Sequence, residues 1–412
     1  HRIVKEREQE ENKMLQGKTV LLGVTGGIAA YKMPNVARML KKMHCNVHVL
    51  MTQNATNFIT ATTFETLTGN KCLIDTFDRN FEFSVEHVAL AKQADLVLLA
   101  PATANVIGKI ANGIADDMLT TTVMACTCKV LVAPAMNHNM YHNSIVQENL
   151  EKLKRHGYEM IDPVCGMLAN GDTGDGKLPS EETLVEYVLR ELAFEKDMQG
   201  LKVLVTAGPT QEAIDPVRFI SNHSTGKMGY AIAKNAMLRG AEVTLVTGRT
   251  ALEPPMFVKT VPVTSAKDMY QAVMECAKEQ DIIVKAAAVA DYTPAHTADE
   301  KIKKSEGELS LALEKTTDIL AELGKNKGNT VLCGFSMETE HMLENSRAKR
   351  KKKNLDMIAA NNLKQQGAGF AGDTNVLTLI TEDWEKELAL MSKDEAAKCL
   401  LDELLKIKKN KK

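Results

Sequence analysis

From Lys18 onward the chain repeats one pattern: a short apolar run, a glycine-containing turn, and a longer amphipathic segment. The apolar runs in the first half are KTVLLGV (18–24), NVHVLM (46–51), DLVLLA (95–100) and KVLVA (129–133). A second series follows, with LKVLVTA (201–207), EVTLVT (242–247), DIIVKA (281–286), VLCGF (331–335) and DMIAA (356–360). Such alternation is what βαβ units of a parallel sheet produce. Between the two series, EETLVEYVLRELAFEKDMQ (181–199) predicts a helix that closes the first unit ahead of a polar joint at Gly200. The expected architecture is α/β, with two Rossmann-like, doubly wound parallel-sheet domains. Residues 1–16 read as a polar extension in which Met14 is a candidate initiator, 17–190 as the first domain and 191–412 as the second.

Composition narrows the function classes. A chain of 412 residues that is 44% hydrophobic can fill two full cores. With 51 Lys and Arg against 53 Asp and Glu, the formal charge is −2, which gives no field for nucleic acid or an anionic membrane surface. No stretch approaches the roughly twenty apolar residues of a membrane span, and HRIVKEREQEENK is too charged for a signal peptide, so a cytoplasmic protein is expected. The eight cysteines (45, 72, 126, 128, 165, 276, 333 and 399) form no paired CxxC framework, which fits free thiols in a reducing compartment. Cys126 and Cys128 make a CxC without partner ligands nearby. The basic C-terminal KIKKNKK reads as a solvated tail.

Ligands of open parallel sheets bind beyond the carboxyl ends of the strands, so the segments after each strand carry the chemistry. The first turn, GVTGGIAAYK (23–32), lets a ligand approach the backbone at Gly26 and Gly27 and offers a helix start to a phosphate, but it is not GxGxxG. Two later loops, PATANVIGKIANGIADDM (101–118) and PAMNHNM (134–140), each pair a strand-stopping proline with small residues and an amide. His87 stands on an amphipathic segment before the strand at 95–100. The Gly- and Asp-rich stretch 157–180 is either a lid or a passive surface loop. In the second half, residues 207–233 carry Arg218 and a polar cluster from Ser221 to Lys227, and Gly226-Lys227-Met228 is not a P-loop. Asp291 follows a strand, DEKIKK supplies Lys301, Lys303 and Lys304, and RAKRKKKN (347–354) crowds like charges that need solvent or an anion.

In the first half, GGIAAYK, MTQNA, the EHVALA histidine, PATAN, ADDM, PAMN and the Gly-Asp-rich stretch follow the order and spacing of the flavin-dependent cysteine decarboxylases, and the half resembles that family. The resemblance implies a flavodoxin-type domain that forms trimers with FMN at a subunit interface. Gly26, Gly27, Thr52, Thr103, Asn105, Asp116 and Met136 would then lie near FMN, Asn137 would hold the substrate carboxylate, and His87 would position substrate and serve as acid or base. Where the family's flap reads A-C-G-D, this chain reads Ala169-Asn170-Gly171-Asp172. Asparagine cannot replace a thiol as proton donor for the enethiol intermediate, which leaves Cys165, a water or another acid for that step. In the second half, DPVRFISNHSTGKMG, AAVADY, EKIKK, GF and KRKKKNLD resemble the CTP-using bacterial phosphopantothenate–cysteine ligases. That likeness implies that Asp291, Lys301, Phe335, Lys349 and Lys353 bind CTP with Mg2+, and that Arg218 and Asn222 act at the acyl-cytidylate stage.

Together the halves are similar to bifunctional enzymes of coenzyme A biosynthesis, which join cysteine to 4'-phosphopantothenate and decarboxylate the product to 4'-phosphopantetheine. A trimeric first domain and a dimeric second domain would close into a homo-dodecamer. Two other readings compete: an active ligase with an incomplete or scaffold flavin domain, motivated by Asn170, and a flavin or nicotinamide oxidoreductase, disfavoured by the absence of GxGxxG.

Overall fold

The computed structural model describes residues 13–76, 86–167, 173–303, 310–338, 341–362 and 372–411. The chain separates into two compact units, His1–Phe194 and Glu195–Lys412.

In the first unit the strands are β1 (Thr19–Val24), β2 (Asn46–Met51), β3 (Leu96–Ala102), β4 (Lys129–Pro134) and the two-residue β5 (Glu159–Met160). They form one sheet in the order β2-β1-β3-β4-β5, with every pairing parallel. This is the flavodoxin-like order, and it reverses direction between β1 and β3. Its helices include α1 (Met33–Lys42), α2 (Ala61–Thr68), α3 (Glu86–Gln93), α4 (Ala104–Ala111), α5 (Met118–Ala125), α6 (His138–Tyr141), α7 (Ser144–Arg155) and α8 (Glu181–Leu192). The central strands β1 and β3 are almost wholly buried, because helices cover both faces. Gly23 on β1 admits the Leu99 side chain: a Cβ there would lie 2.5 Å from Leu99 Cδ2. The Ser180 hydroxyl starts α8 by accepting from the Thr183 amide. That helix ends at Leu192, seven residues short of the sequence expectation. Part of the 157–180 stretch is a β-hairpin of β6 (Val164–Met167) and β7 (Thr173–Lys177). Its glycines and aspartates hide the period-two pattern that would have announced it.

The second unit carries an eight-stranded sheet of β8 (Lys202–Ala207), β9 (Glu242–Thr247), β10 (Lys259–Pro262), β11 (Ile282–Lys285), β12 (Val331–Glu338), β13 (Met357–Asn362), β14 (Leu377–Ile380) and β15 (Glu385–Glu387). The order is β10-β9-β8-β11-β12-β13-β14-β15. Its first six strands are parallel in the Rossmann order, which reverses between β8 and β11. β14 and β15 extend the edge as antiparallel strands. The helices used below are α9 (Lys227–Leu238), α10 (Ala266–Cys276), α11 (Ile319–Lys325), α12 (Met342–Lys352) and α13 (Lys393–Asn410).

The basic C-terminus is not a solvated tail. Its residues up to Asn410 lie in α13, Lys408 pairs with Asp281 at 2.9 Å and Lys411 with Asp356 at 2.7 Å. The leucines and alanines of α13 are buried, so the helix must continue through the lysines, which reach acceptors at the strand starts. No helix among the described residues is long and apolar enough to cross a membrane.

Candidate functional site

Each unit has a cavity at the point where its strand order reverses. In the first unit, the threonine that follows β1 ties the two switch-point loops together. The buried Thr25 hydroxyl donates to the Pro101 carbonyl at 2.6 Å and accepts from the Thr103 amide at 3.0 Å. Beyond this clamp lies a cavity of about 660 Å³, whose wall includes Gly26, Gly27, Lys32, Thr103, Met136, Asn137 and Met140. Gly26 packs against Asn54, where a Cβ would come within 2.5 Å of Asn54 Cβ, and Gly27 caps the following turn without a side-chain bond. First-turn N–H groups at such an end are open to an anionic group. Thr103 starts α4, its hydroxyl accepting from the Val106 amide.

Asn137 caps α6. Its Oδ1 accepts from the Asn139 amide at 2.9 Å, which leaves the side-chain NH2 to face the cavity. β7 closes this wall: the Met136 amide donates to the Gly176 carbonyl at 3.0 Å, and Gly176 has φ +121°, where any side chain would run into the Met136 carbonyl.

The other residues expected near a flavin lie elsewhere in this unit. Thr52, at the end of β2, is buried, and its hydroxyl has no partner among the described residues. Such an orphan acceptor and donor is costly unless a ligand meets it. Asn105 is exposed on α4, and Asp116 is exposed and paired with Lys109 at 2.7 Å, a contact that holds its carboxyl below the usual range. His87 is half-buried on α3 and does not line the cavity. Asn170 lies outside the described residues.

The second unit repeats the clamp with different contents. Thr206 on β8 accepts from the Ala287 amide at 3.1 Å, and Thr210 accepts from the Ala290 amide at 3.0 Å. The Asn222 side chain donates to the Ala288 carbonyl at 3.0 Å. These bonds join the loops after β8 and β11 across the switch point. The cavity there has a volume of about 480 Å³ and brings together Asn222, Asp291, Phe335, Lys349 and Lys353, all expected from the sequence. The N-terminus of α9, capped by Gly226 at φ +80° without a side-chain bond, opens onto it. Gly229 lets α9 lie on β8, since a Cβ would sit 2.5 Å from Ala207 Cβ.

Two expected residues do not line this cavity. Arg218 is bound to Asp215 through Nε at 2.9 Å and donates to the Ile302 carbonyl at 2.8 Å. That guanidinium, with the amides of Val217, Arg218 and Ile302, holds the buried Asp215 carboxyl far below the usual carboxylate range. Lys301 is exposed on the neighbouring loop.

Sequence reasoning missed Lys285, Asp318, Asn361 and Lys393 in the cavity wall. Lys285 ends β11 and has no hydrogen-bond or ion-pair partner among the described residues. Burial, with the Lys353 charge next, pushes its ammonium down to about 8 against the opposing pull of Asp318. Asp318 caps α11 and pairs with Lys353 at 2.8 Å; burial raises its carboxyl, but the Lys353 bond, the Ala321 amide and the charges of Lys353 and Lys285 together outweigh it and the net shift is downward. Asn361 Oδ1 is buried without a partner among the described residues. The clue to Lys285 is a lysine ending an otherwise apolar strand, IIVK.

Family profiles match both units: one described as "Flavoprotein" covers residues 8–193, and one described as "DNA/pantothenate metabolism flavoprotein C-terminal domain" covers 198–407. Along the whole chain, the coenzyme A biosynthesis bifunctional protein CoaBC of Bacillus subtilis (strain 168) is 45% identical, over 96% of this chain and 98% of its own. The chain belongs to this bifunctional coenzyme A biosynthesis family. The Escherichia coli (strain K12) member is 42% identical over 95% of this chain and 97% of its own. A crystal structure of the C-terminal domain of a CoaBC protein is 41% identical, covers 52% of this chain and all of its own, and superposes with a TM-score of 0.46.

Proposed function

We propose that the two switch-point cavities divide the family's two activities between them, with FMN-dependent decarboxylation of 4'-phosphopantothenoylcysteine in the first unit and CTP-dependent ligation of cysteine to 4'-phosphopantothenate in the second. The enzyme is a bifunctional decarboxylase and phosphopantothenate–cysteine ligase of coenzyme A biosynthesis. The observation that carries the division is the contrast in wall chemistry. The second cavity gathers five lysines (227, 285, 349, 353 and 393) against two aspartates (291 and 318), as a triphosphate requires. The first has methionines, glycines, one oriented amide and only two lysines (32 and 177).

In the first unit the residues fit a flavin. The open turn at Gly26 and Gly27 suits its phosphate, Met136 and Met140 would supply polarizable apolar contacts, and the Thr103 loop would add polar ones. Bound there, FMN would supply a reversible two-electron acceptor for the cysteinyl moiety of the substrate. Asn137 orients the substrate carboxylate through its free NH2 without fixing a charge beside it, which eases departure of CO2. His87, and the exposed Asn105 and Asp116, complete the site from a neighbouring subunit in a trimeric assembly. Cys165, exposed on β6, is a thiol on the hairpin and serves as the candidate proton donor for enethiol reduction.

In the second unit, α9 and the lysines hold the CTP phosphates with Mg2+, and Phe335 and Asp291 bound the nucleoside end. The substrate carboxylate attacks the α-phosphorus, pyrophosphate leaves, and the cysteine amine displaces CMP. The Asn222 amide, anchored by Ala288, stabilises the acyl-cytidylate. Arg218 acts indirectly, by fixing the loop through Asp215.

Incubation with 4'-phosphopantothenate, cysteine, CTP and Mg2+, read by mass spectrometry, tests the reading. Accumulation of 4'-phosphopantetheine supports it. Accumulation of phosphopantothenoylcysteine, or of a species two hydrogens lighter than phosphopantetheine, would leave the ligase intact and reject a complete decarboxylase.

A further inference from the structure

Beside the first cavity, on the outer side of α6, the hairpin β6–β7 and the helix bring together His138, His142 and Asp175. We propose that these three side chains form a binding site for a transition-metal dication of the Zn2+ class, which pins the hairpin to the segment that carries Asn137.

The spacing follows from local structure. His138 and His142 are four residues apart, one helical turn, and their ring centroids lie 4.4 Å apart. β7 runs along this segment, with Gly176 against Met136 and Gly174 against His138, so Asp175 between them is delivered to His142. His142 Nε2 is 3.2 Å from Asp175 Oδ2, and one donor atom from each of the three residues lies within 4.8 Å of the others. Donors of a tetrahedral zinc site with metal–ligand distances near 2.0–2.1 Å are about 3.3 Å apart, so the His142–Asp175 edge is already formed and the His138 donor, within 4.8 Å of both, has to draw in to complete the face.

A histidine–aspartate hydrogen bond would account for the 3.2 Å contact alone. It does not account for His138, whose Nδ1 is buried and has no partner among the described residues. That ring seats against Gly174, where a Cβ would lie 2.8 Å from Nδ1. The hairpin thus makes room for an imidazole whose nitrogen it leaves unsatisfied. Two imidazoles and one carboxylate select zinc-class ions over Mg2+, which prefers an oxygen octahedron, so the site does not compete for the metal of nucleotide chemistry. Three protein donors leave one coordination position to water or an exogenous ligand.

The test uses the full-length chain, freed of metals by chelation. Zn2+ is titrated calorimetrically and Co2+ by its visible absorption, in the wild type and in His142→Ala and Asp175→Asn. Both substituted side chains are about half exposed, so the variants keep the fold. The expected result is one ion per chain without a thiolate charge-transfer band, an affinity lowered about tenfold or more in each variant, and slowed amide exchange over 173–177 on Zn2+ addition in the wild type only. Absence of saturable binding overturns the proposal. So does binding that survives both substitutions or shows cobalt–thiolate absorption, because the ion would then sit on the cysteines.

Discussion

Both units tie their switch-point loops with buried threonines, Thr25 in one and Thr206 in the other, yet the cavities beyond these clamps differ in almost every chemical respect. The first is shaped by glycines and methionines and presents a single oriented amide. The second is ringed by lysines, one of them buried enough to lose much of its hold on a proton. The two units thus share a switch-point frame and differ in the side chains that surround it. A flavin is held largely by shape and by backbone donors, whereas a triphosphate is held by charge.

The sharpest way to break the contrast is to put a negative charge into the less charged site. Asn137→Asp replaces the free NH2 with an anion facing the substrate carboxylate, and decarboxylation is expected to fall roughly a hundredfold or more. Ligation stays unchanged, so phosphopantothenoylcysteine accumulates; an equal loss of both activities would merge the sites. Removing charge from the other cavity has a smaller effect. Lys349→Ala is expected to raise the CTP dissociation constant about tenfold, corresponding to ~1.4 kcal/mol, with FMN content unaffected. Calorimetric titration with CTP checks it.

Salt separates the cavities without mutation. Raising ionic strength from low to physiological values is expected to weaken CTP binding several-fold and to leave flavin retention unmoved, because screening acts on the lysine ring. The smallest expected effect is in pH. A bound triphosphate raises the Lys285 pKa above its free value of about 8, so CTP binding takes up protons above that pH. Affinity should therefore decline by a few-fold as pH rises past about 8, and Lys285→Met should flatten the decline; the same slope in the variant would remove Lys285 from the site.

The central strands were legible because strands covered on both faces are written as unbroken apolar runs, as at Leu96–Ala102 and Lys202–Ala207. β10, at one sheet edge, is a half-exposed KTVP and β15, at the other, an exposed EKE, so no such run marks them. α13 was misread because the lysines of KIKKNKK look solvated in isolation, and their acceptors at Asp281 and Asp356 come from distant segments. The sites divide in the same way. Gly26, Thr103 and Asn137 lie in loops that follow β1, β3 and β4 and drew attention by that position, whereas Asn222 was legible only through the family resemblance. Lys285 could not, since its significance depends on the packing of Lys353 and Asp318 around it. His138 and His142 were visible as residues, but only the hairpin shows that Asp175 joins them.

The division of labour between the units turns on where the two ligands bind. A crystal structure of the protein with FMN and a non-hydrolysable CTP analogue tests this most directly. The prediction is a flavin beside Gly27, Thr103 and Met136, and nucleotide phosphates among Lys285, Lys349 and Lys353 at the start of α9. A flavin remote from the β1–β3 switch point, or phosphates that avoid those lysines, would contradict it.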